Sequence, residues 1–148
     1  MNVETYIYTT DDEKLLYDFY SIGNKGTIAK IVIYEIANFN HFNLAFGDYD
    51  AVREEINEIS ITNNGDTIKV LATVIETIKV FFQTYPYAIL DIRGSTTIRT
   101  KLYQKIIRDN WAEIETEFRI LAFKNDRTKP EIPDFTQEYQ LFQITKKH

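Results

Sequence analysis

The sequence contains no cysteine and very little histidine, proline or tryptophan. Without cysteine, the chain can form neither a disulfide nor a reactive thiolate. With only His41 and His148 it offers no histidine-based metal site. A carboxylate-only site stays open, but no motif marks one, so we assign no metal ligands. The first residues lack the basic and apolar regions of a signal peptide, and no apolar window approaches ~20 residues. These absences predict a cytoplasmic protein with no membrane contact.

The residues that are present predict one globular domain over residues 1–148. The hydrophobic fraction of 44% and the charged fraction of 26% are ordinary for such a domain. Ten Phe and ten Tyr predict an aromatic core. The net charge of −5 disfavours general binding to nucleic acid, which needs a basic surplus.

The first sixty residues alternate polar and apolar side chains in the manner of strands. Gly23-Asn24-Lys25-Gly26 predicts a hairpin, and the returning strand is apolar on both faces, so we place it in mid-sheet. The charged segment 50–58 forms either a helical turn or an excursion. The predicted strands are Tyr6–Tyr8, Leu16–Ile22, Thr27–Ala37, Phe42–Phe46, Ala88–Arg93, Phe118–Phe123 and Tyr139–Ile144. A loop over 124–136 and a tail over 145–148 complete the chain.

The hydrophobic period changes to that of a helix after Asn63-Asn64-Gly65-Asp66. Ile68, Leu71, Ile75, Ile78 and Phe82 recur on one helical face, with Asp66 or Thr67 as the cap. Gly65 can free backbone amides to hold a phosphate, or the segment can be a plain capped turn. We keep Asn63, Asn64, Gly65 and Asp66 as candidate ligand-binding residues.

A second helix is predicted from Ser95 to Ile107. Arg99 falls in its apolar sector, where a guanidinium must pair with a carboxylate or bind an anion. Arg93 and Ser95, on either side of Gly94, join it as candidate ligand-binding residues. Lys101, Lys105 and Arg108 form a basic stripe, which is either solvated surface or a nucleic-acid contact. Together these patterns predict the α+β class: a single antiparallel-rich mixed sheet of about six to seven strands packed with two main helices.

Several blocks of this region are familiar. Asn63-Asn64-Gly65-Asp66, Lys69 to Val74, and Arg99-Thr100-Lys101-Leu102-Tyr103 resemble an uncharacterised family of small bacterial and phage-encoded proteins. That family has no established activity, so the resemblance implies membership and no function.

The order of elements, β-β-β-β-α-β-α-β, also resembles the Gcn5-related N-acetyltransferases. In that superfamily a glycine turn holds the pyrophosphate of coenzyme A, and a tyrosine of the later helix protonates the departing thiolate. The resemblance implies Gly65 at the turn, Tyr103 as the catalytic general acid and acetyl-CoA as the cofactor. Two departures favour a scaffold without the activity: the turn keeps a single glycine, and only Thr9–Lys14 separates the first two strands.

Three hypotheses for the function follow. The first is a binding module with a protein partner or a second copy of the chain, in a phage-conflict or toxin–antitoxin setting. The second is an N-acyltransferase that uses Tyr103. The third is contact with nucleic acid through the second helix. Whether the protein is an enzyme stays open at this point.

Overall fold

The computed structural model describes residues 4–57, 64–94, 97–125 and 129–148, without the side chains of residues 97–99. The described chain forms strands and helices in the following order: β1 (Thr9–Thr10), β2 (Leu16–Gly23), β3 (Gly26–Asn38), β4 (His41–Asp50), β5 (Glu55–Asn57), α1 (Thr67–Thr84), β6 (Ile89–Ile92), α2 (Thr97–Asp109), α3 (Trp111–Glu117), β7 (Phe118–Phe123) and β8 (Leu141–Lys146).

All eight described strands belong to one open sheet with the order β1-β2-β3-β4-β6-β8-β7, and β5 pairs with β4 off this path. β4 and β6 run parallel. The pairs β1–β2, β2–β3, β4–β5, β6–β8 and β7–β8 run antiparallel. The predicted α+β class with a mixed sheet is therefore confirmed, with β3 between β2 and β4 as expected.

Contacts along the chain divide it into two compact units. Unit 1 comprises the described parts of Met1–Glu35 and Ala45–Tyr85, and unit 2 those of Ile36–Leu44 and Pro86–His148. Each unit is described by itself below.

The core of unit 1 is built where α1 packs on one face of β2 and β3. The rings of Tyr34 and Phe81 stack with centroids 4.3 Å apart, and the Tyr34 hydroxyl lies 2.8 Å from Thr77 Oγ1. Tyr17 packs edge-on against Tyr34. Burial raises the pKa of the Tyr17 and Tyr34 phenols, because a phenolate in this apolar core would lose its hydration.

Unit 2 is built on β6, which pairs with the first residues of β4 on one edge and with β8 on the other. The strand predicted over Ala88–Arg93 is present as β6, in which Leu90 and Ile92 are buried while Asp91 is only half-buried. Its α3 was not predicted, and β8 extends two residues into the predicted tail. None of the helices in the described parts of the chain is long and apolar enough to span a bilayer.

Three local predictions were wrong. The first strand is Thr9–Thr10 and not Tyr6–Tyr8. β4 continues through Gly47 to Asp50, and the charged segment after it ends in the short strand β5. Ile68, predicted to face the core, is 72% exposed.

Candidate functional site

The turn before α1 is the first candidate site. Gly65 has φ +79°, which favours glycine, and a Cβ there would lie 2.9 Å from the Asn24 side chain. The Asn64 side chain is buried and donates to Ser21 Oγ at 3.1 Å and to the Gly26 carbonyl at 2.8 Å. Its Oδ1 accepts the Lys25 N–H at 2.5 Å. Asn64 therefore connects this turn to the β2–β3 hairpin.

The neighbouring strand leaves no room for a side chain at this contact. A Cβ on Gly23 would lie 1.9 Å from the Asn64 carbonyl oxygen, which accepts the Asn24 N–H at 3.1 Å. The hairpin and the turn thus pack backbone against backbone. The sequence predicted the hairpin but not this contact.

Asp66 occupies the N-cap position of α1, as expected, but its side chain makes no capping hydrogen bond. Instead, Asp66 Oδ2 accepts hydrogen bonds from the Tyr6 and Ser21 hydroxyls, each at 2.5 Å. Burial, followed by the bond to Asp66, raises the pKa of the Tyr6 phenol. The carboxylate adds negative charge beside the helix N-terminus, where an anion would otherwise be favoured.

The remaining predicted residues lie in unit 2 or outside the described chain. Tyr103 is buried in α2, and Arg93 is exposed just after β6; both make further interactions within the protein. Asn63, Ser95 and the side chain of Arg99 lie outside the described residues. Their predicted roles stay predictions.

The basic stripe of α2 is partly neutralised. Lys101 Nζ lies 3.1 Å from Glu138, and Arg108 Nε lies 3.1 Å from Asp109. A nucleic-acid surface needs cations that are available to phosphates. Both pairs are exposed and compete only weakly with phosphates, so the nucleic-acid contact stays a prediction.

A histidine–carboxylate pair in unit 2 was not predicted. His41 Nε2 lies 2.6 Å from Asp91 Oδ2, and Gln143 donates to Asp91 Oδ1 at 3.1 Å. The parallel register, which places Asn43 beside Asp91, brings His41 within reach. Within the described chain no group of three or more His, Asp or Glu side chains could hold a metal ion.

A groove on unit 1 is a concave candidate site. It lies on the face of β2 and β3 opposite α1 and has a volume of about 520 Å³. Cross-strand pairing places Leu16 beside Ile33 and Asp18 beside Ile31 on the face that lines the groove. Leu16, Ile31 and Ile33 form its apolar floor. We call this site the groove.

Two tyrosines also line the groove. Tyr20 on β2 is 61% exposed and Tyr49 on β4 is 37% exposed. Ile56 on β5 pairs with Tyr49 and closes this side. The alternation in Leu16–Ile22 was visible in the sequence, but it did not show that the outward face stays apolar.

Comparison with known proteins gives one match. The family model described as "Family of unknown function (DUF6934)" matches residues 2–147. No curated protein matches the chain, and no solved structure does. The expected membership of an uncharacterised family is thereby confirmed, whereas the acetyltransferase resemblance stays a prediction.

Proposed function

Because this chain belongs to the DUF6934 family, which has no assigned function, we propose its role from its geometry: it is a binding module that holds a partner in the groove. The observation that supports this proposal is the groove itself. A concave apolar surface with aromatic walls is the usual form of a binding site. A phage-conflict or toxin–antitoxin setting for that partner remains a prediction.

The outward face of the groove is unusual for an antiparallel pair of strands. Such pairs normally present polar side chains to water on the face away from the core. Here Tyr20 and Ile22 remain 61% and 65% exposed, and Leu16 and Ile33 are half-buried. Contiguous exposed apolar surface marks an interaction site.

The proposal predicts that a neutral apolar probe binds the groove. Nile red fluorescence should rise on titration with the protein, because the dye enters an apolar site. Tyr20→Ser should weaken this binding about fivefold, since about 1 kcal/mol of ring contact is lost. The matched control is Tyr87→Ser, which removes an exposed ring (74% exposed, against 61% for Tyr20) in unit 2. Equal losses from both variants, or no response of the unmodified protein, would refute the proposal.

An N-acyltransferase is the second candidate. The parallel β4–β6 pair within an otherwise antiparallel sheet, connected through α1, favours the predicted acetyltransferase-like scaffold. The side chains of the turn before α1 argue against the activity. The Asn64 side chain is already hydrogen-bonded within unit 1, and the Asp66 carboxylate would repel a pyrophosphate.

We therefore expect acetyl-CoA to leave the melting temperature unchanged. A ligand that binds only the native state stabilises it in proportion to the logarithm of its concentration over Kd, so no shift at about 1 mM excludes useful affinity. The opposite result would be saturable stabilisation and acyl transfer to an amine. In that case Tyr103→Phe should slow the transfer, whereas Tyr87→Phe should not.

A further inference from the structure

The edge of the groove carries charged side chains, whereas its floor is apolar. Asp18, Glu54 and Glu55 line it, and all three are exposed. Lys30 also belongs to the lining, but its side chain is 4% exposed, lies on the core face with Phe19 and pairs with Asp48. The described lining therefore presents three carboxylates and no uncompensated positive charge to an occupant.

Arg53, an exposed cation beside Glu55, neutralises these carboxylates only weakly. Arg53 Nη1 lies 3.8 Å from Glu55, and Arg53 Nε lies 3.9 Å from Asp50, both longer than a direct hydrogen bond. The Arg53 side chain is 75% exposed. Exposed pairs of this kind contribute about 0–1 kcal/mol, so a partner cation can replace Arg53 beside Glu55.

The groove suits a protein segment better than a small molecule. Small-ligand sites bury most of their ligand, whereas Tyr20 and Tyr49 leave much of their rings in solvent. The strand from Leu16 to Tyr20 spans about 14 Å, the length of about four extended residues. The aliphatic side chains of such a segment can contact the floor, while the long Arg or Lys side chains at the alternate positions bend over the edge to the carboxylates.

On this basis, and resting on the proposed binding function, we infer that the groove takes an extended segment of a partner protein in which Arg or Lys alternates with aliphatic residues. The aliphatic side chains contact Leu16, Ile31 and Ile33. The basic side chains pair with the carboxylates at the rim. The faces of Tyr20 and Tyr49 add cation–π attraction for a guanidinium.

The test uses three peptides that differ only at two positions, which are basic, neutral or acidic. The first is N-acetylated Val-Arg-Leu-Arg-Val-Gly, and the other two carry Gln or Glu in place of both Arg. Binding is followed by methyl NMR of the isoleucines, with Ile31 and Ile33 reporting from the groove. We expect the Arg peptide to shift these methyls and to bind about tenfold more tightly than the Gln peptide, and its affinity to fall as salt is added. The Glu peptide should not bind.

Matched variants assign this preference to the rim. Asp18→Asn with Glu54→Gln and Glu55→Gln should remove the preference for Arg over Gln. Asp12→Asn with Glu115→Gln and Glu117→Gln makes the same charge change at exposed positions outside the groove and should keep it. All six positions are exposed, and circular dichroism checks that both variants fold.

The outcomes separate this inference from the proposed function. Equal affinity for the Arg and Gln peptides, tighter binding of the Glu peptide, or unshifted Ile31 and Ile33 methyls with the Arg peptide would overturn the basic partner. If Nile red binding still depends on Tyr20, the binding function stands and only the partner chemistry is wrong. If the dye does not bind either, both are wrong.

Discussion

Replacing Asn64 with alanine is expected to lower the free energy of unfolding by about 3 kcal/mol. The change removes three shorter hydrogen bonds, from the side-chain amide to Ser21 Oγ and the Gly26 carbonyl and from the Lys25 N–H to Oδ1, and a fourth of 3.4 Å from the amide to the Ser21 carbonyl. Each is worth about 1 kcal/mol, and partners left buried without a bond add to the loss. Asn64 is only 1% exposed, so water cannot readily replace these bonds. Urea unfolding followed by far-UV circular dichroism measures the change.

Asn43→Ala is the matched control. Asn43 lies on β4 with an exposed side chain, so the same change there should stay within about 0.5 kcal/mol of neutral. Similar losses from both variants would show that the hydrogen bonds of Asn64 do not carry the effect. If Asn64→Ala lowers the stability but leaves Nile red binding unchanged, the turn does not contribute to binding in the groove.

The sequence predicted α1 and part of its buried face, since Leu71 and Phe82 are buried, but it misplaced the rest. Hydropathy selected Ile68, which is 72% exposed, and did not select Thr73 and Thr77, which are fully buried. Thr73 Oγ1 accepts the Tyr6 N–H at 2.8 Å, and Thr77 Oγ1 lies 2.8 Å from the Tyr34 hydroxyl. Polar side chains are buried without penalty when such partners exist, and partners 43 to 67 residues away are not visible in a local pattern.

The candidate turn shows the same limit. The turn before α1, with Asp66 or Thr67 at the N-cap, follows from local residue preferences and was predicted, and Asp66 holds that position. The positive φ of Gly65 was not predicted. The use of the Asp66 carboxylate by Tyr6 and Ser21 depends on segments 45 and 60 residues away. Local spacing therefore located the turn, but it could not show whether the turn's polar groups face a ligand or the protein.

The groove was missed for a related reason. A period-2 pattern distinguishes two faces of a strand, but it does not say which of two apolar faces is covered by a helix. The segment 50–58 was the second obstacle, because its charges hide the strand Glu55–Asn57 that supplies Ile56 to the groove. The turn before it uses Asp50 Oδ1, which accepts the Val52 N–H at 3.0 Å, and Glu54 at φ +54°.

Asp48→Ala is expected to destabilise the protein by about 3–5 kcal/mol, because it leaves the Lys30 ammonium buried without its carboxylate. The Lys30 side chain is 4% exposed and the Asp48 side chain 16%. Lys30 lies opposite Phe19, within the aromatic core of unit 1. Adding Lys30→Met to Asp48→Ala should therefore recover most of the lost stability, since no buried charge then remains. Urea unfolding of both variants measures the two changes.

Asp48→Ala is expected to lower the stability, whereas adding Lys30→Met is expected to raise it again. These opposite changes make the test specific, because a second core substitution normally lowers the stability further. Glu138→Ala is the control, because it breaks the exposed pair with Lys101. The Lys101 side chain is 60% exposed and that of Glu138 is 78% exposed, so the stability should change by no more than about 0.5–1 kcal/mol. A loss at Asp48 as small as that at Glu138 would mean that Lys30 reaches water. A double variant less stable than Asp48→Ala alone would mean that the Lys30 stem, and not its charge, supports the fold.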